Sequence, residues 1–219
     1  MKTCDRSRLA PSASVLLIIS ALAWLAGCAS PTVGFQRIEH PERPIQRTGF
    51  VLYLPSEGTW SMAESDEEGL TRLLFKQDLG APTESGKIQP TTAISVEIAH
   101  TPAERFAELY PNQHAALEAF STDAAKPSTG RFKDLSSDTT WGQVQGQEFA
   151  RVARRCEERD NPIDPSAVLV LDASSTWLFH PNRPVTCMWV LITHRGHEGQ
   201  PMPSIADLEK QFFSKLAFE

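Results

Sequence analysis

From Thr48 onward, short apolar blocks alternate with polar punctuation, and the period of each block predicts an element. Phe50-Val51-Leu52-Tyr53-Leu54 is β-branched and aromatic, and Pro55 stops it, which predicts a strand. Gly58-Thr59-Trp60 follows as a turn, and Glu64-Ser65-Asp66-Glu67-Glu68 is too acidic to bury, which predicts an exposed loop. Leu70 to Gln77 predicts a second strand. A loop rich in Gly, Pro and Ser over 80–90 leads to a third, Thr92 to Ile98, with clean alternation. Thr101-Pro102-Ala103-Glu104 predicts a helix start, with Thr101 as cap, Pro102 where its missing N–H is harmless, and Glu104 completing a capping box. That helix carries Phe106 and Leu109, and Pro111 divides it from a second stretch through Leu117 and Phe120.

The second half predicts mainly strands. Thr139 to Cys156 is one long candidate, with Gly142 and Gly146 marking a bulge or a break. Ala167–Leu171 and Thr176–His180 flank Asp172-Ala173-Ser174-Ser175, read as a turn, and Pro181-Asn182-Arg183-Pro184 reads as the next. Val185 to Thr193 is apolar on both parities, so both of its faces need cover and the strand belongs at the centre of a sheet. Ser204 precedes a closing helix whose residues Ile205, Leu208, Phe212, Phe213 and Leu216 share one face. Strands, one helical segment, more strands and a closing helix predict an α+β fold with a largely antiparallel sheet, in one domain spanning 48–219.

The first 27 residues follow a different pattern. Lys2, Arg6 and Arg8 precede the apolar run Val15-Leu16-Leu17-Ile18-Ile19 through Leu25, and small residues end it. This order of charge, apolar core and small-residue site predicts a signal peptide over 1–27. Its last residues and the next, Leu25-Ala26-Gly27-Cys28, resemble the lipobox of bacterial lipoproteins. The resemblance implies a diacylglyceryl group on the Cys28 thiol, cleavage before it and acylation, commonly with palmitate, of the new amino terminus. It also implies that Ala29, in place of aspartate, directs the protein to the outer membrane, facing the periplasm, rather than the inner membrane. Residues 28–47, with Pro31, Pro41 and Pro44, read as a tether of on the order of 60 Å when extended. After Cys28 the longest apolar run is Cys187-Met188-Trp189-Val190-Leu191-Ile192, far below the roughly 18 residues that span a bilayer, so the lipid is the expected anchor.

Charge and cysteines narrow the picture. The chain carries 21 Lys and Arg against 27 Asp and Glu, a formal charge of −6, and loss of the leader makes it more negative. Such a balance argues against a nucleic-acid partner, which needs a basic face. Once the leader is cut and Cys28 acylated, Cys156 and Cys187 remain, an even pair in an oxidising compartment. A bridge would close a loop of about 31 residues and contribute roughly 3–4 kcal/mol in the chain-entropy account. A simple meander would instead hold the two apart as buried thiols, and both readings stand at this point.

Candidate chemistry is sparse. No Gly-x-Ser-x-Gly elbow, Gly-x-Gly-x-x-Gly or phosphate loop occurs, and no cofactor is expected. His194, His197 and Glu198 are the nearest approach to a metal site, and they carry the alternative reading of a metal-assisted hydrolase. Their spacing is not that of a helical zinc motif, and an exposed polar turn is the simpler reading. Arg151, Arg154, Arg155 and Arg159 form the one basic cluster, read as a solvated strand edge. Trp141, Trp177 and Trp189 read as core, or alternatively as the lining of a small-ligand groove.

The opening Gly49-Phe50 … Leu54-Pro55 … Gly58-Thr59-Trp60 resembles the start of the PsbP-like fold, and Leu208 … Phe212-Phe213-Ser214-Lys215-Leu216-Ala217-Phe218 resembles its terminal helix. The resemblance implies an αβα sandwich that serves as an accessory or interaction module. The sequence therefore leads to a lipid-anchored, non-catalytic envelope protein with a protein partner, and assigns catalytic roles and metal ligands to no residue.

Overall fold

The computed structural model describes residues 34–79, 88–197, 199 and 203–219. The leader, Cys28 and Glu198 lie outside them. Eleven strands and three helices follow in chain order among the described residues. The strands before the helices are β1 (Gln36–Arg37), β2 (Ile45–Arg47), β3 (Phe50–Leu52), β4 (Ser61–Glu67), β5 (Leu70–Asp78) and β6 (Thr91–His100). Helices α1 (Ala103–Leu109) and α2 (Gln113–Ala124) come next, then β7 (Phe132–Val144), β8 (Gln147–Glu158), β9 (Leu169–His180) and β10 (Arg183–His197). Helix α3 (Ile205–Ser214) and the short β11 (Ala217–Phe218) close the chain. Eight strands form one antiparallel sheet in the order β1-β4-β5-β6-β10-β9-β8-β7, and β11-β3-β2 form a small second sheet. The α+β class with a dominant antiparallel sheet is thus what the molecule adopts.

The two parities of β10 explain its central place. Met188, Val190 and Ile192 join Phe75, Ile94, Val96 and Leu178 under α3 and the small sheet. Trp189 and Leu191 point the other way, into a second core with Trp177, Phe179, Phe106 and Leu117 under α1 and α2. Helices therefore cover both faces. Helix α3 starts where Ser204 Oγ accepts from the Asp207 N–H at 3.3 Å, and it turns Leu208 and Phe212 inward.

Several local expectations are corrected. Residues 36–47 are not a free tether, because Gln36–Arg37 pair with Ser61–Met62, Ile45–Arg47 pair with Phe50–Leu52, and Ile38 and Ile45 pack on the core. The folded body therefore begins before Thr48. The acidic run is strand β4: at the sheet margin its carboxylates stay near water, and Glu64 takes both Nε and Nη2 of Arg47, at 2.5 and 2.7 Å. The 139–156 candidate is a hairpin. Its turn falls at Gln145–Gly146, both at positive φ (51° and 76°), as a two-residue hairpin turn requires.

Residues 172–175 are mid-strand in β9, since ladders on both sides hold them and Ser174 finds side-chain partners. Thr101 does not cap α1; its N–H continues the ladder to the Val185 carbonyl at 3.0 Å, and Pro102 takes the cap position without a side-chain hydrogen bond. The closing helix ends at Ser214, and Ala217–Phe218 turn back to pair with Phe50–Val51.

A candidate binding groove beside helix α3

Strand β8 lies one strand in from the sheet margin, so its alternation sends successive arginines to opposite faces. Arg151, Ala153 and Arg155 share the α3 face, beside Thr176, Ser174 and Asp172 of β9 and Thr140, Asp138 and Ser136 of β7. The small side chain of Ala153 leaves a depression between the two guanidinium groups. With Ser204, Ile205 and Ala206 of the α3 amino end as a wall, this becomes an open groove of about 620 Å³.

The deep end of the groove is a closed polar cluster. Arg151 Nε donates to Ser174 Oγ at 3.1 Å, Arg151 Nη2 reaches Glu209 Oε2 at 3.1 Å, and Ser174 Oγ–H donates to Glu209 Oε1. Burial raises the Glu209 carboxyl, and Ser174 and Arg151 partly offset the shift. The outer end is looser. Arg155 is half exposed, and its Nε stands 3.8 Å from Asp172 Oδ1, beyond hydrogen-bond length, so its donors remain available to a bound group.

The other sequence candidates take different places. Arg154 faces away from the groove, and its guanidinium donates to Ser128 Oγ and to the Ala124 and Lys126 carbonyls at 2.6–2.7 Å, tying down the end of α2. Arg159 pairs with Glu157 in solvent. The arginine cluster is thus no strand edge, because β7 covers that side of β8.

His194 is no exposed turn residue. It lies within β10, 1% exposed, with Nδ1 2.7 Å from Thr92 Oγ1 and no partner at Nε2 among the described residues. Burial lowers its pKa against an opposing pull from Asp172. His197 is three residues further along the same strand, and residues three apart point to opposite faces, so the strand does not bring His194 and His197 together on one ion. Among the described residues, no three His, Cys, Asp or Glu side chains are grouped to hold a metal.

Cys156 and Cys187 are both free, which corrects the bridge. They pair with Leu171 and Phe179 of β9, one on each side of that strand, and this register separates them by about 26 Å along it. A disulfide needs Cα atoms within roughly 7 Å. The Cys156 thiol donates to Asp134 Oδ1 at 3.1 Å, and burial with that contact pushes it up to about 11. Burial pushes the Cys187 thiol up to about 12. Trp177 and Trp189 stack in the core, centroids 6.2 Å apart, whereas Trp141 stands 41% exposed on β7.

Sequence reasoning missed Ser174, Asp172 and Glu209, because a serine–aspartate stretch reads as a turn and a lone glutamate on an amphipathic helix reads as solvent-facing. Strand parity from Arg151 was the one available signal. No protein-family model matches the chain, and no curated protein matches it.

Proposed function

We propose that this chain is a lipid-anchored protein of the bacterial envelope whose folded body acts as a non-catalytic interaction or accessory module in the periplasm. The observation that carries the placement is Leu25-Ala26-Gly27-Cys28 directly after a basic start and an apolar run. Ala29 after the cysteine favours the outer membrane. Helices on both faces of an antiparallel sheet support a PsbP-like αβα sandwich, which favours an accessory role. The groove beside α3 supplies a face for an envelope protein partner, with Arg155 as the group free to engage it. The chemistry of the thiols points the same way: with pKa values near 11 and 12 they stay protonated at neutral pH and are poor nucleophiles.

Metabolic labelling with a palmitate analogue tests the anchor. The wild-type chain takes up label and fractionates with membranes, and Cys28→Ser does neither. An unlabelled wild-type chain, or a serine variant that still fractionates with membranes, overturns the reading.

A further inference from the structure

On the opposite face of the sheet from the arginine groove, helix α2 and strand β7 enclose a second cleft of about 460 Å³. One wall is the indole of Trp141. The other is the last two turns of α2, with Glu118, Ser121 and Thr122, and the residues Ala125 and Lys126 that follow its end; Thr139 of β7 lies beside the tryptophan. Glu118 and Thr122 stand at i and i+4, so one side of the helix supplies both, and Lys126 extends that wall from the segment after the helix.

The tryptophan is held before anything binds. His114 of α2 lies against it, ring centroids 4.8 Å apart and tilted by 33°. His114 Nδ1 in turn stands 2.9 Å from Glu148 Oε2 on β8, which links helix, hairpin and ring. His114 is not part of the cleft lining, so the stack leaves indole surface open toward α2. A tryptophan exposed on a marginal strand gains little from burial, yet its ring is stacked on His114, which Glu148 in turn holds. Fixing it in advance removes the ordering cost that a binding aromatic would otherwise meet.

We propose that this cleft is a glycan-binding site, in which the apolar face of a pyranose ring lies on Trp141 and its hydroxyls are met by Glu118, Thr122 and Thr139. The lining fits that chemistry in two respects. An aromatic plate opposite a carboxylate, hydroxyls and an ammonium matches a ligand with C–H groups on one side and hydroxyls on the other. The volume lies within the range of small-molecule sites, roughly 300–1,000 Å³, and admits more than one sugar ring. Lys126 is paired with Asp123, so the wall carries no free cation to select a phosphate or a carboxylate.

Isothermal titration of the full-length chain in a non-sugar detergent, with chitotriose and maltotriose as probes, tests the site and distinguishes amino-sugar from neutral hexose glycans. Saturable heat with either probe is expected, weakened at least roughly tenfold in Trp141→Ala, the loss of one aromatic stacking contact. Thr122→Phe, at an exposed helix position, fills the cleft while leaving the tryptophan in place and is expected to abolish the same heat. Absence of saturable heat with both probes up to millimolar concentration overturns the proposal, as does binding that survives both substitutions. Neither outcome depends on the lipid anchor or on the arginine groove.

Discussion

Arg195 Nε stands 2.9 Å from Glu158 Oε2, joining β10 to the end of β8 across 37 residues of sequence. Arg131 reaches the same carboxylate at 3.0 Å from the other side, and Asn161 donates to it at 2.7 Å. Glu158 is 1% exposed, so one buried anion organises two cations and the loop after β8. Removing the anion leaves both guanidinium groups uncompensated. Glu158→Ala is expected to destabilise the chain by about 3–5 kcal/mol, read from urea unfolding of the variant against wild type. A loss below about 1 kcal/mol would mean that water replaces the carboxylate freely.

Gly49 makes the turn between β2 and β3 at φ 85°, with Thr48 also left-handed at φ 49°. A Cβ at this position would lie 2.8 Å from His180 Nε2 and 2.9 Å from Arg183 Cζ. Gly49→Ala therefore combines backbone strain with a clash, and a loss above about 1 kcal/mol is expected. The double variant Gly49→Ala with His180→Ala relieves only the His180 part of the clash, leaves Arg183 and the backbone strain, and loses the contact of His180 Nε2 with the Gly49 carbonyl, so thermal unfolding should show partial recovery at most.

Glu97 faces Arg72 across the β5–β6 ladder at 3.3 Å, yet burial raises its pKa above the ordinary 4.5 despite that partner. A carboxyl raised on folding contributes stability at pH below 4.5 and loses it as pH rises through the raised value. The difference in melting temperature between wild type and Glu97→Gln should therefore move against wild type as pH climbs from 4.5 toward neutrality. A difference that does not change with pH would show that Arg72 offsets the burial fully.

The thiols give a prediction with the opposite sign from an envelope disulfide. Because Cys156 and Cys187 are free and separated by β9, adding a reductant should leave the melting temperature unchanged. Iodoacetamide at neutral pH should label them only slowly unless the chain is first unfolded, since both thiols are raised well above that pH. A fall in stability on reduction would reveal a bridge.

Periodicity made the central strand legible: Val185–Thr193 needed cover on both sides, and both cores now meet there. Helix α3 was legible for the same reason, with Ser204 as its cap. What stayed hidden depended on partners distant in sequence. Glu64 sits in a strand because Arg47 and β5 receive it, and nothing local to the acidic run announces that. Ser174 and Asp172 read as a turn because polarity outweighed the neighbouring β-branched residues. Their burial is explained only by Arg151, Arg155 and Glu209 approaching from elsewhere. Trp141 reads with Trp177 and Trp189 as core or as the lining of a ligand groove; those two stack in the core, and Trp141 alone of the three stands exposed. Its exposure follows from β7 being the last strand, a property of topology rather than of composition.

The pairing of β1 with β4 leaves a short leash. From the acylated Cys28 that we propose to Gln36 is about eight residues, at most roughly 28 Å of chain. Such an anchor would keep the β1–β4 margin within that reach of the lipid. The opposite rim, β7, lies seven strand spacings away, roughly 33 Å across the sheet, so Trp141 stands on the margin farthest from the leash.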